Sequence, residues 1–496
     1  MKQFSAIRQA MVKGLVPYFL LLALITVLYF WLNPSMYVND GASIHVLMRI
    51  LLGAVAVFLL IGYFYKVVTF RHLIFAIILG GIIMRIGYMS YTPFTMRGHD
   101  IYGLNDSGHY GYMYTIFQTG KLPITNDNQF YHPPLQHLLG AALARMVYFF
   151  HPTDDMDRLF DAVKIIPCFA SCAILPVSYK ICGQLRLPKL ATGMALAILA
   201  FHPTFYILSA SVNNDSLMLF FFMVAILYTL KWYHTPSYKN IILLALAIGL
   251  GMMTKISAGM VALFTAPVFL VVFVQHLKWK TGKNIFQQFL AFAGVCFPIA
   301  LWYPIRNSLL FHQSFAYVLD LTGNVDLYCG NYSIVQRFLS FPFDQLTNPV
   351  YCDPCKDYNV WLYTVKCSLF GEFTFDCPEQ FARMLIVANL LLILLSLAAM
   401  IYVMICCKRL HPLARYGLFF IWLVQMVSFV QFNLKFPFGC TMDFRYLVPT
   451  VLVGAVYIGI AASHLLERHR AWSYITVIVG WEEICLFAAA SILFYA

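Results

Sequence analysis

The chain has 496 residues, 61% of them hydrophobic and 11% charged, with a formal net charge of +12. Soluble domains carry about 25% charged residues, and at a mean hydropathy of +0.75 there is more apolar side chain than a soluble core can absorb, so a polytopic membrane protein is expected. The basic residues are scattered between apolar runs rather than clustered, which disfavours nucleic acid as a partner and favours cytoplasmic loops.

Thirteen apolar runs of about the length of a span are legible. They cover 14–32, 46–65, 72–90, 162–181, 191–210, 217–232, 240–253, 256–274, 285–303, 384–406, 416–434, 446–465 and 471–494. The first run lacks a small-residue cleavage site and reads as a span rather than a signal peptide. The seventh and eighth form a pair broken at Thr254-Lys255, and the last carries Glu482 and Glu483. The expected fold is therefore all-α, a bundle of about thirteen transmembrane helices. It divides into a two-span addition (1–71), a core (72–305) with a large polar loop at 91–161, a cysteine-containing loop (306–382) and C-terminal spans (383–496). With the N-terminus in the cytoplasm, Lys66, Arg71, Lys180, Arg186, Lys189, Lys408 and Arg409 fall inside, and the first outer connection, 33–45, has no Lys or Arg. That asymmetry obeys the positive-inside rule and places the polar loops outside.

The stretch 97–135, RGHDIYGLNDSGHYGYMYTIFQTGKLPITNDNQFYHPPL, is the most polar part of the core. It brings Asp100, Asp106, His99, His109 and His132 to the mouth of the third span. Titratable groups at that position in so apolar a chain point to chemistry. Two helices are expected from it onward, lying along the interface, with the second dipping into the membrane as the alternative. One follows Asp106, which fits a helix N-cap before Ser107. The other runs over 133–150, with Leu138, Leu139, Ala142, Met146 and Phe149 on one side.

Of 13 cysteines, Cys329, Cys352, Cys355, Cys367, Cys377 and Cys440 fall in outer segments. An even set there suggests disulfides in an oxidising compartment. Cys352 and Cys355 form a C-x-x-C, without the second pair or nearby histidines of a zinc site.

Other polar residues gather at the same outer level. They are Asn213, Asn214 and Asp215 at a hairpin, Lys255 at the broken pair, Trp302, Tyr303, Arg306 and Asn307 closing the ninth span, Glu372, and Asp443, Arg445 and Tyr446 opening the twelfth. In a bundle these converge on one outward cavity. Lys255, Arg306 and Arg445 suit an anion such as phosphate, and apolar walls suit a prenyl tail. Asp100, Asp106 and Glu372 offer a general base for an incoming hydroxyl. Tyr110, Tyr112, Phe130, Tyr131 and Trp302 offer surfaces for sugar rings, and His109, His132, Asn214 and Tyr446 offer substrate contacts. His99, His109 and Asp100 lack the tight spacing of a divalent-metal site, and no cofactor is expected. A transporter or lipid flippase is the rival reading. Against it, the charges lie at one face rather than the midplane, and no inverted repeat is visible.

The acidic residue after a span, then QFYHPPLQH, VNNDSL, GMMTKISA, WYPIRN and MDFRY in that order, resemble membrane glycosyltransferases of the GT-C fold. The nearest branch is similar to dolichyl-phosphate-mannose protein mannosyltransferases, a family-39-like group, and the resemblance covers roughly 73–465. It implies an inverting, single-displacement transfer from a polyprenyl-phosphate sugar to an acceptor hydroxyl outside the cytoplasm, with no nucleotide sugar used directly. Asp100 matches the family's catalytic base. The family often has Asp-Glu there; this chain has His99-Asp100-Ile101, so a second carboxylate falls to Asp106 or Glu372 or is absent. No repeat-type lumenal domain is evident, which leaves a glycan, a lipid or a protein open as acceptor.

Overall fold

In hydrocarbon no water satisfies backbone amides, so a spanning segment must be helical. The protein obeys this in a computed structural model that describes residues 2–36, 41–278, 281–315, 317–319, 327–346, 358–373, 375 and 377–493. Cys352 and Cys355, much of the outer segment around them and the end of the last expected span at Phe494 lie outside the described residues. Eleven described helices are long and apolar enough to cross a membrane, or twelve if the bent pair Lys189–Phe201 and Pro203–Ala210 counts as one. The remaining expected span is the helix Tyr238–Thr254, whose 17 residues reach about 26 Å at 1.5 Å per residue. The fifth expected span is not straight but bends by 44°. His202, before Pro203, is extended (φ −60°, ψ 129°), because a following proline disfavours the helical region. The pair broken at Lys255 is found: the helix ends at Thr254 and Lys255 is extended.

The chain folds into two compact units that do not follow chain order. The first comprises Met1–Ile44, Arg85–Ile181 and Leu208–Tyr317, and the second His45–Met84, Cys182–Ile207 and Val318–Ala496.

In the first unit the helices Asp215–His234, Tyr238–Thr254, Val261–Lys278 and Gly282–Phe311 pack on one another, and Leu135–Phe150 packs on Tyr238–Thr254. The polar stretch holds two helices, His109–Thr119 and Leu135–Phe150. They share a core of Phe94, Ile101, Tyr110, Met113, Ala144, Phe160 and Val163. Leu135–Phe150 turns its small and polar face inward, with Gln136, His137, Gly140, Ala141 and Ala144 buried. Its large apolar side faces out: Leu139, Met146, Phe149 and Phe150 are exposed. A helix in water would be arranged the other way round. This polarity suits an element whose outer side meets lipid.

In the second unit Pro449–Arg468 is central, packing against Lys189–Phe201, Glu379–Cys406, Leu418–Lys435 and Arg470–Leu493. Gly459 admits the Ala191 backbone, which any side chain at that position would meet at 2.6 Å. Cys329 and Cys367 share a buried cluster with Tyr363, Phe429 and Met442. No disulfide joins two of the described cysteines.

Candidate active site

The polar stretch leaves the helix Phe70–Tyr91 through a fixed exit. The Lys164 ammonium donates to the carbonyls of Met89 (3.0 Å) and Thr92 (2.7 Å), and the Phe94 amide donates to Asp161 Oδ1 (3.0 Å). Three side-chain-bearing residues then adopt left-handed backbone: Arg97 (φ 56°), Asp100 (φ 55°) and Tyr102 (φ 52°). Each such residue costs roughly 1–2 kcal/mol, least for Asp and most for a bulky ring. Strain of this kind persists only where the surroundings over-determine it, and it collects at functional sites.

The strained run folds back onto the helix it precedes. The carbonyls of Asp100 and Ile101 accept from the amides of His109 (2.9 Å) and Tyr110 (3.3 Å). Two helix-start donors, which a helix cannot satisfy internally, are thus met by the loop carrying Asp100. Those amides are therefore already taken, and Asp106 does not cap the helix as its sequence position suggests. The N-cap is Gly108, with no side-chain cap, while Asp106 Oδ2 accepts from Gly103 N at 2.9 Å and closes a turn inside the loop. The approach is tight enough that a Cβ at Gly111 would overlap the Asp106 carbonyl oxygen, and one at Gly108 the Ile101 carbonyl. Gly→Ala inside a helix ordinarily stabilises by up to about 1 kcal/mol. Gly111→Ala is instead expected to destabilise by about 1–3 kcal/mol through overpacking, visible as a lower thermal midpoint of the solubilised protein. A raised midpoint would show that the loop is not seated as described.

Behind the loop lies a buried array of rings. His109 Nδ1 and His137 Nε2 are 2.8 Å apart, the His132 ring is 5.6 Å from that of His109, and Tyr112 stacks on His137 at 4.0 Å. The hydroxyls of Tyr112 and Tyr303 are 2.7 Å apart, and Tyr303 donates to the Phe130 carbonyl (2.8 Å). Arg306 serves the same junction. Its guanidinium donates to the Pro123 carbonyl (2.6 Å) and to Asn307 Oδ1 (2.9 Å) and lies 5.3 Å from the centre of the Tyr303 ring. The structure thus brings together His109, His132 and Arg306, and uses Arg306 to hold the 123–131 segment.

Burial first, and then neighbouring His109, push the His137 imidazole well below its ordinary pKa. His137 is therefore neutral in the folded protein, whereas the unfolded chain binds a proton below about pH 6.5. The unfolded state binds more protons in that window, so stability falls as the pH drops below about 6.5. The thermal midpoint is expected to decline from pH 7 to pH 5, and less steeply in His137→Gln. Equal slopes would remove His137 as the source.

VNNDSL and GMMTKISA meet in the first unit. Lys255 Nζ lies 2.5 Å from Asp215 Oδ1. Asp215 is held in turn by Asn213, whose Nδ2 donates to Oδ2 at 2.9 Å, and Asn214 Nδ2 donates to the Thr254 carbonyl at 3.3 Å. Sequence reading picked out both motifs as separate features and missed that Asp215 is the partner of Lys255. A groove of about 630 Å³ runs beside the loop, lined by Leu104, Tyr114, Arg145, Tyr148 and Asp154 among others.

In the second unit Glu372 Oε1 accepts from the Tyr363 hydroxyl (3.1 Å). Asp443 accepts from the Arg445 amide (3.0 Å) and pairs with its guanidinium (Nε–Oδ2 3.3 Å). Arg445 lies 5.3 Å from the centre of the Tyr446 ring. An apolar cavity of about 410 Å³ is walled by Trp361, Trp422, Phe444 and Ile458, with His202 and Asn389 as polar edges. Asp161, Lys164 and His137 were missed from the sequence. The available signal was a lone Lys164 inside an apolar run, a place where a cation needs a partner.

Residues 132–317 match the family model of dolichyl-phosphate-mannose-protein mannosyltransferase. The resemblance read from the sequence is borne out on that segment, which holds His132, Asn214, Lys255 and Arg306. The match supports a glycosyltransferase. Similar solved structures include the Archaeoglobus fulgidus oligosaccharyltransferase tethered to an acceptor peptide with the NVT sequon, at 14% identity and TM-score 0.46, covering 85% of this chain and 55% of that one. The apo form of that enzyme gives 12% identity and TM-score 0.44, with 85% and 56% covered. The chain thus spans little more than half the length of those structures. No curated protein matches the chain.

Proposed function

We propose that the protein transfers a sugar from a polyprenyl-phosphate donor to an acceptor hydroxyl on the extracytoplasmic face of the membrane, with inversion at the anomeric carbon. Asp100 is the general base. The observation that carries this is the seating of Asp100: a left-handed carboxylate residue (φ 55°) in a strained polar loop, tied through its carbonyl to the first turn of His109–Thr119. The family match over 132–317 supports the reaction class.

The chemistry follows from a weak nucleophile and a good leaving group. As the acceptor oxygen attacks the anomeric carbon, its proton passes to Asp100 and the bond to the phosphate oxygen breaks. The polyprenyl phosphate leaves already charged, so no covalent enzyme intermediate is needed. Lys255, oriented by Asp215, is assigned to an anionic group of the donor, with Arg306 as a further cation of the same unit. The Tyr114, Tyr148 and Arg145 groove suits an acceptor with sugar-like faces.

The test is incubation of the purified, lipid-reconstituted protein with a panel of labelled polyprenyl-phosphate sugars and glycan, lipid and peptide acceptors. Transfer with inverted configuration is the expected result. Transfer from a nucleotide sugar without lipid, or a product of retained configuration, would overturn the proposal.

A further inference from the structure

We propose that Tyr29, on the first helix of the chain, is a positioning residue for the Asp100 loop, acting through Asp161. The inference rests on the reading of Asp100 as the base, and it gives the N-terminal helix Lys2–Met36 a part in the reaction although that helix lies outside the family segment 132–317.

Between 14 and 32 this helix is mostly bare. Leu20, Leu24, Val27 and Trp31 are exposed, as expected of a helix side that meets lipid. Ile25 and Tyr29, one turn apart, are instead buried, at 0% and 1% exposure. The Tyr29 hydroxyl donates to Asp161 Oδ2 at 2.7 Å, a bond between residues 132 positions apart. Burying a phenol hydroxyl against a carboxylate is worthwhile only as a specific bond, since an apolar ring would bury equally well without it.

Asp161 leads directly to the loop. Its Oδ1 accepts from Lys164 Nζ (2.7 Å) and from the Phe94 amide (3.0 Å). The same ammonium donates to the Met89 and Thr92 carbonyls, so its three donors are all directed at the exit of the helix Phe70–Tyr91 and at Asp161. The Phe94 ring then packs edge-on against Tyr110 at 5.0 Å, and the Tyr110 amide bonds to the carbonyl of Ile101, the residue after Asp100. Tyr29, Asp161, Phe94 and Tyr110 thus form a continuous line of contacts to the strained run. Strained backbone relaxes unless it is held, and the Tyr29 hydroxyl holds the carboxylate that clamps the start of that run.

Tyr29→Phe removes the hydroxyl and keeps the ring. Amide hydrogen exchange of the full-length, lipid-reconstituted protein should then run roughly tenfold faster over 92–108, the scale of losing one hydrogen bond to a charged acceptor. Exchange in Tyr238–Thr254 should stay unchanged. In the transfer assay turnover should fall several-fold, with the donor KM unchanged within about twofold, because a displaced base affects the chemical step rather than binding. Val27→Ala, on the bare side of the same helix, should change neither. Wild-type exchange over 92–108 in Tyr29→Phe overturns the proposal, as does equal acceleration in Val27→Ala. If wild-type protein transfers no sugar, the function assigned above falls, and the exchange data still decide whether Tyr29 holds the loop.

Discussion

Asp100→Asn is expected to lower turnover by at least about a hundredfold, the scale of general-base catalysis, while expression and donor binding stay close to wild type. The substitution suits the site for a backbone reason as well as a chemical one. Asp100 has a φ of 55°, and Asn is among the few residues that visit the left-handed region readily, so the loop should keep its shape when the base is removed. Asp100→Ala would confuse lost chemistry with added strain. Asp106→Asn and Glu372→Gln are the informative companions. Asp106 closes a turn with Gly103, so its amide should cost far less than that of Asp100. Glu372 already accepts a bond from Tyr363, which an amide oxygen can retain. Near-normal turnover in Asp100→Asn, with collapse in either companion, would move the base to that carboxylate.

The second large effect is expected at the buried pair Asp161–Lys164. Both side chains are almost fully shielded, at 3% and 0% exposure, and the charged atoms are 2.7 Å apart. Removing one member of a buried pair strands the other, at a cost of about 3–5 kcal/mol. Lys164→Met should therefore lower the thermal midpoint of the solubilised protein far more than a surface change. It should also release the helix exit, because the Met89 and Thr92 carbonyls lose their donor. The double variant Lys164→Met/Asp161→Asn removes both charges, its Asn carbonyl can still accept from the Phe94 amide and its NH2 can donate to the Tyr29 hydroxyl, so it should recover much of the loss. A single variant no less stable than the double would show that the charges are not stranded, and that the pair is held by packing alone.

Some of this protein was legible in the amino-acid order. Hydropathy within a window reports the solvent a segment needs, so the apolar runs gave the helices, and a lysine placed after Thr254 gave the break that the structure shows at Lys255. Short polar motifs in a fixed order gave the family likeness over 132–317. Local signals failed where a neighbour in space competed with a neighbour in sequence. Asp106 has the position of a helix cap, but the carbonyls of Asp100 and Ile101 take the amides first. The side of Leu135–Phe150 that carries Leu139, Met146 and Phe149 was legible as one face, but which small residues on the opposite side are buried was not, because periodicity marks two faces without naming their partners. Lys255 read as one of three cations for an anion, and its partner Asp215, 40 residues away, is brought to it only by the hairpin. The bond from Tyr29 to Asp161 spans 132 positions, and no window of sequence contains both ends. Span lengths and helix breaks follow from each residue's own transfer energy and backbone preference. The identity of a buried partner depends on which helices pack together, and only the tertiary structure decides that.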